Sequence, residues 1–280
     1  MVFLLGLICT LLAFLLFRIN WILPVTSIYL SLMISYLGTL GLRLTGEERE
    51  RTRLRQMFGK YVSDEVVEKL LTKGHRPHLE GESLSVTILF TDIRNFTTTS
   101  EKLNPREVVE MLNAFFGRVC EPILQEGGTV DKFIGDSIMA VFGSPVPYKD
   151  HAQRALRAAL AMKEEVGEFR SWMHQHFAET DLPEFAIGIG IHTGEAVIGS
   201  IGSPKRMEFT AIGDAVNLAS RLESLTKELD WVIVASSTTI NAAGPGVVTG
   251  RREKVLVKGR EGYVEILEVI GLEPEKGEKP

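Results

Sequence analysis

Cysteine is nearly absent from the chain: two occur in 280 residues, Cys9 inside an apolar run and Cys120 inside a helical pattern. That excludes a disulfide framework and any cysteine-rich metal centre. The six histidines show no HExxH or comparable ligand spacing, so a bound metal must be held by oxygen donors, which points to magnesium, manganese or calcium. There is no excess of positive charge, the formal net charge being -5, and nothing global suggests nucleic acid as a partner. No GxxxxGKS/T stretch occurs, which leaves a P-loop mechanism unsupported. Gly188-Ile189-Gly190-Ile191-His192-Thr193 opens like a dinucleotide loop, but it lacks the third glycine and lies in a strand pattern. His192 is expected there as a structural strand-end histidine.

Uncharged apolar length is plentiful near the N-terminus. Val2 to Phe17 is sixteen residues without a charge and Ile22 to Leu42 twenty-one more, separated by Arg18-Ile19-Asn20-Trp21. A helix needs about 20 apolar residues to cross a bilayer, so the second run spans comfortably and the first marginally. The first run has no Lys or Arg before it and no small-residue cleavage site after it, unlike a signal peptide. The expectation is a transmembrane hairpin over 1–43 contacting the lipid bilayer. Arg43, Arg49, Arg51, Arg53 and Arg55 crowd the end of the second run against Arg18 alone on the other side. The positive-inside rule then places everything after Leu42 in the cytoplasm, as a multi-pass protein of the inner (plasma) membrane. Residues 44–82 read as a helical juxtamembrane linker: Leu54, Met57, Phe58 and Tyr61 make a narrow apolar stripe, Ser63 caps a brief helix, and Pro77 marks a connecting segment.

A soluble domain is legible over 83–270. Leu84 to Phe90 is a buried-type strand. Asn104-Pro105-Arg106-Glu107 carries a cap, a proline at the first helical position and an acid three past the cap, so a long helix runs to about Gln125 before Gly127-Gly128. Thr129 to Phe133 and Ser137 to Phe142 form a hairpin through Gly135-Asp136, and Asp150 is expected to cap a second long helix. Strands follow over Phe185 to Ile191, Ala196 to Ile201 and Met207 to Ala211, then a helix over Ala215 to Glu228, then strands over Trp231 to Ala235, Lys254 to Lys258 and Tyr263 to Val269. The polar stretch 271–280 is expected to be disordered. The order strand, helix, hairpin, helix, strand predicts an α+β fold: a ferredoxin-like split βαβ sheet with extra C-terminal strands.

In that topology the first two strands run the same way, so the end of the first and the hairpin after the second lie on one edge of the sheet. Asp92 and Asp136 occupy those places. Two adjacent carboxylates repel unless a cation lies between them, which suggests a divalent-metal site for phosphate chemistry; two unrelated strand-end aspartates remain an alternative. The turn after Asp92, with Asn95, Phe96 and Thr97, can aim backbone N–H groups at phosphate oxygens. Asn217 and Arg221, four apart on a predicted helix, project from one face, an amide and a guanidinium suited to a sugar and a phosphoryl group. Taken alone, these two, Lys132, Lys258 and Thr210 are more readily read as ordinary surface or strand residues.

Together the motifs identify a family. Leu89-Phe90-Thr91-Asp92-Ile93, Lys132-Phe133-Ile134-Gly135-Asp136 and the run from Phe209 to Arg221 resemble, in order, the catalytic domain of class III nucleotidyl cyclases. The resemblance implies two Mg2+ or Mn2+ ions per active site on Asp92, Asp136 and the carbonyl of Ile93. It implies that Lys132 and Thr210 read the purine, Asn217 orients the ribose, Arg221 stabilises the transferring phosphoryl group and Lys258 holds the terminal phosphates, with Lys205 or Arg206 as a further contact. Guanylate cyclases carry Glu and usually Cys where Lys132 and Thr210 stand, so ATP is the expected substrate and adenylate cyclase the expected activity. Many members use Asp in place of Thr210; the Thr form is similar to the subgroup often reported to respond to bicarbonate. In the family the metal and base-reading residues come from opposite subunits, which implies a homodimer through the catalytic domain. Phe58-Gly59-Lys60-Tyr61-Val62-Ser63 resembles the linker of bacterial cyclases with an extracellular sensor; none lies in this sequence, and a truncated or naturally short form is expected. The alternatives are a guanylate cyclase and a non-catalytic, membrane-tethered dimerisation or nucleotide-sensing module. A diguanylate cyclase lacks support, since no GGD/EEF stretch occurs.

Overall fold

The computed structural model describes residues 81–203, 206–257 and 262–273, with isolated positions between 11 and 39. The expected membrane hairpin falls mostly, and the linker helices wholly, outside the described residues. Among the described residues no helix is long and apolar enough to cross a membrane. Leu11, Phe14, Leu30, Met33 and Leu37, all helical, expose their side chains.

From Glu82 onward the elements are β1 (Glu82–Ile93), α1 (Phe96–Lys102), α2 (Pro105–Gln125), β2 (Thr129–Ile134), β3 (Ser137–Phe142), α3 (His151–His176), β4 (Ile187–Ser203), β5 (Arg206–Ile212), α4 (Asp214–Leu229), β6 (Ile233–Ser236), α5 (Ser237–Ala243), β7 (Val247–Leu256) and β8 (Tyr263–Leu272). The strands join in the order β2-β3-β1-β4-β6-β8-β7, with β5 paired to β4 off that path. β3 lies between β1 and β2 and is antiparallel to both, so β1 and β2 point the same way. The run β2-β3-β1-β4 is the expected split βαβ sheet.

Alternation along β1 sorts its side chains between two cores. Leu89 and Ile93 face α2 and α3, where Phe115, Phe169 and Phe185 pack ring against ring. Val86, Ile88 and Phe90 face the other way, against Met139, Val141, Ala196, Ile198 and Ala211. Beside this second core β5, bonded to β4, reaches β2 through Thr210 and Asp131. Helix α2 begins with the predicted capping box, Asn104 accepting from the Glu107 N–H while Glu107 accepts from the Asn104 N–H.

Several expectations are corrected. Phe185–Ile191 and Ala196–Ile201 are not two strands; β4 runs unbroken and pairs with β1 from Ile187 to Ile198. The intervening Gly194 is an ordinary paired residue opposite Val86. His192 is therefore mid-strand and buried, its Nδ1 2.8 Å from Ser236 Oγ. Asp150 makes no capping bond, because its carboxylate takes the Arg154 Nε at 3.0 Å. Trp231 precedes β6, β7 starts at Val247 rather than Lys254, and β8 extends to Leu272, past the expected start of the tail. Helix α5, which the sequence reading omitted, is capped by Ser236.

Helix α4 lies directly on β4 because Gly188 and Gly190 offer no side chains beneath it. A Cβ on Gly190 would stand 2.1 Å from the Glu223 backbone nitrogen and 2.6 Å from the Ala219 carbonyl oxygen. Neither can move without lifting the helix. Gly190→Ala is therefore expected to destabilise the domain by about 1–3 kcal/mol or more, read as a lowered urea midpoint with an unchanged slope.

Candidate active site

β1 ends on Asp92, and pairing of Thr91 with Ile138 brings it beside the start of β3. Ser137 Oγ donates to Asp92 Oδ1 at 2.5 Å. One residue earlier, in the tight turn where Gly135 takes φ 66°, stands Asp136. The predicted pair is thus assembled: both side chains are half-buried and in hydrogen-bond contact. Burial and then the neighbouring Asp92 charge push the Asp136 carboxyl up to about 6, against a bond from the Ile93 N–H that favours the ionised form.

A third acid, missed in the sequence, faces the same place. Glu223 on α4 is pushed up to about 7 by burial and by the Asp92 charge, with Asp136 adding to it. Its Oε1 lies 3.2 Å from where a Gly188 Cβ would be, and Gly188 is the cross-strand partner of Asp92. Helical spacing could not have found it, since nothing in the sequence says that α4 crosses β4 at that glycine. Among the described residues no group of three or more His, Cys, Asp or Glu side chains forms a metal cluster. The Asp92–Asp136 pair nevertheless fits a hard divalent cation: two half-buried carboxylates whose mutual repulsion a cation would relieve.

Arg94 ties the turn after Asp92 to the end of α4. Its guanidinium donates to the carbonyls of Thr226 (2.9 Å) and Trp231 (2.8 Å) and to Asp230 Oδ1 (2.9 Å). Asn95 adopts the left-handed region at φ 57°, and Phe96 and Thr97 open α1.

A second cluster gathers Lys132 and Thr210 across β2 and β5. Lys132 Nζ is 3.1 Å from Glu208 Oε2 and 3.5 Å from Asp131 Oδ1. Thr210 Oγ1 donates to Asp131, 2.7 Å from Oδ2 and 2.9 Å from Oδ1, and the Ala211 N–H donates to Oδ2 at 3.1 Å. Burial raises the Asp131 carboxyl, while Thr210, the Ala211 N–H and Lys132 oppose the rise. Asp131 stands immediately before the Lys132-to-Asp136 motif, which assigns it no role.

Asn217 is exposed on α4, and Arg221 is half-exposed one turn on. At roughly 100° per residue, they lie on a different side of the helix from Glu223, which faces Asp92. Lys205 and Lys258 lie outside the described residues, as does the side chain of Arg206.

A family described as "Adenylate and Guanylate cyclase catalytic domain" matches residues 80–268, and the chain belongs to this class III nucleotidyl cyclase family. It is 39% identical over 215 residues to "Adenylate cyclase 1" of Rhizobium meliloti, covering 77% of this chain and 32% of that protein. It is 37% identical over 187 residues to an adenylate cyclase of Anabaena cylindrica, covering 66% of this chain and 36% of that one. The chain spans about a third or less of the length of the curated relatives it matches. The adenylyl cyclase CyaB from P. aeruginosa superposes with TM-score 0.62 at 33% identity, over 69% of this chain and 97% of that one. A crystallised guanylyl cyclase does so with TM-score 0.64 at 38% identity, over 70% and 97%.

Both raised acids favour the fold in their protonated forms. Their contribution to stability is fully present below their ordinary pKa values near 4 and is lost as pH rises through about 6 for Asp136 and about 7 for Glu223. In chelator, Asp136→Asn is therefore expected to melt increasingly above wild type as pH rises from about 4 to 7, and to gain nothing at lower pH. Thermal melts across that range check the sign.

Proposed function

We propose that the chain is a membrane-anchored adenylate cyclase converting ATP to 3′,5′-cyclic AMP and pyrophosphate at a homodimer interface. The observation that carries this reading is the coexistence of the carboxylate pair Asp92–Asp136 with the Lys132–Thr210 cluster. The first suits a metal-bound triphosphate and the second a purine edge. A lysine ammonium suits adenine N1, an acceptor, and disfavours guanine, whose N1 carries hydrogen.

In the reaction the ribose O3′ forms a bond to the α-phosphorus, the bond from that phosphorus to the bridging oxygen of pyrophosphate breaks, and the 3′-hydroxyl proton is lost. Asp92, Asp136 and the Ile93 carbonyl would hold Mg2+ or Mn2+, two ions per site, supplying positive charge for hydroxyl ionisation and pyrophosphate departure. Asn217 orients the ribose. Arg221 places a guanidinium against charge growing on the phosphoryl oxygens. The turn at Asn95, Phe96 and Thr97 and the side chain of Lys258 receive the triphosphate.

Assembly from two chains is supported by α4, whose Asn217 and Arg221 lie away from the side facing their own aspartates. Phe133 and Ile134, flanking the metal turn, and Ile212, ending β5, are each about half exposed, an apolar rim that a second copy would cover. Anchoring to the plasma membrane, with the catalytic domain cytoplasmic, rests on the uncharged runs over 2–17 and 22–42 and on the arginines that follow. The full chain should accordingly stay in the membrane pellet through alkaline carbonate extraction; release into the supernatant would sink this part of the reading.

The similarity to a guanylyl cyclase at 38% identity makes cyclic GMP the competing product. Purified protein with Mn2+ is expected to turn over ATP in preference to GTP. A preference for GTP overturns the substrate, and absence of any cyclic product from a verified dimer leaves a non-catalytic nucleotide-binding module. Asp92→Ala and Arg221→Ala should each lose about 100-fold or more in kcat yet regain activity when mixed, because each heterodimer then holds one intact site. Failure to complement with exchanging subunits would exclude the shared site.

A further inference from the structure

The bond from Thr210 to Asp131 leaves a chemical signature at the purine-reading position. A threonine hydroxyl has one hydrogen, and here every partner within bonding distance is an acceptor: both Asp131 oxygens and, at 3.5 Å, the Ala211 carbonyl. Asp131 itself receives the Ala211 N–H at 3.1 Å and faces the Lys132 ammonium at 3.5 Å, donors that favour a carboxylate accepting at each contact. With its hydrogen committed inward, the Thr210 oxygen can only accept from a ligand.

Asp131 reaches this place through a break in the strand. In the β2–β3 ladder Val130 pairs with Ala140 and Lys132 with Met139, leaving Asp131 as the extra residue of a bulge. A bulge re-aims a side chain that regular alternation would send elsewhere. The carboxylate is buried, 7% exposed as a residue, and its costly desolvation is offset by the donors named above.

We propose that Asp131 is a specificity-determining positioning residue: by holding the Thr210 hydroxyl as an acceptor, it makes the site accept a 6-aminopurine and reject a 6-oxopurine. Adenine presents an amine at this position, and guanine an oxygen that would meet the threonine lone pairs. In effect β2 supplies, one bond removed, the negative charge that an aspartate at position 210 would supply directly. The inference rests on Thr210 reading the base, as proposed above.

The experiment measures kcat/KM for ATP and for GTP with Mn2+ on the full-length dimer. Asp131→Asn, whose amide can donate to Thr210 and turn its hydrogen outward, is expected to lower the ATP-to-GTP ratio by roughly ten- to a hundredfold. Thr210→Val should lower it similarly, and adding Asp131→Asn to Thr210→Val should change the ratio no further, as expected of residues acting through one contact. Thr210→Asp combined with Asp131→Asn moves the carboxylate from β2 to β5 and should restore the preference even if Asp131→Asn alone folds poorly. Equal slowing on both nucleotides in Asp131→Asn, a further loss on the Thr210→Val background, or no restoration by the exchange would each overturn the proposal and reduce Asp131 to a clasp between strands. A wild-type preference for GTP, or no cyclic product, would instead overturn the underlying substrate reading.

Discussion

The seating of α4 on the bare backbone of β4 is the constraint from which most of the site follows. Two glycines, Gly188 and Gly190, let the helix approach until a single methyl group would collide with its main chain. At that distance Glu223 comes down beside the cross-strand partner of Asp92, and Thr226 near the helix end offers its carbonyl to Arg94. The same seating fixes the rotation of α4 and so the side from which Asn217 and Arg221 project. What resembled a fragment of a dinucleotide loop is a track for a helix.

Three acids at one end of the sheet make that end electrostatically unfavourable in the isolated chain. Burial and mutual repulsion raise Asp136 and Glu223 toward neutrality, a cost in stability that a bound cation would relieve. Arg94 offsets the rise at Glu223 by its charge alone, since its hydrogen bonds run to carbonyls and Asp230. It secures the turn mechanically while leaving the carboxylates free. Placing such a group of like charges at the end of a rigid strand is consistent with a site organised for a cation rather than for folding.

Much of the fold could be read from the sequence because its signals are local. The Asn104–Glu107 box and the Gly135-Asp136 turn each act within a few residues, and both elements appear as expected. The partnership of Asp92 with Asp136 was legible one level up, from topology. The missed features that shape the site depend on contacts between distant elements: the unbroken course of β4 through Gly194, the approach of Glu223, and the role of Asp131. That last residue was hidden for a specific reason. Thr129, Val130 and Asp131 are buried in succession, which violates the period of two by which strands are read, and a buried aspartate in such a run has no meaning until the strand that faces it is known.

The bulge at Asp131 also bears on how this chain can vary by descent. Lys132 and Asp136 lie on one short hairpin, just after the single extra residue. Deleting that residue would regularise the ladder, since Val130 and Lys132 already oppose the adjacent Ala140 and Met139, and would remove the carboxylate that Thr210 and the Ala211 N–H bind. The side-chain link from β2 to β5 would go with it. Changes of length can therefore accumulate in connections such as 177–186, which lie outside the helices and strands. In β2 the loss of one residue would cost the link to β5 while leaving the pairing with β3 intact.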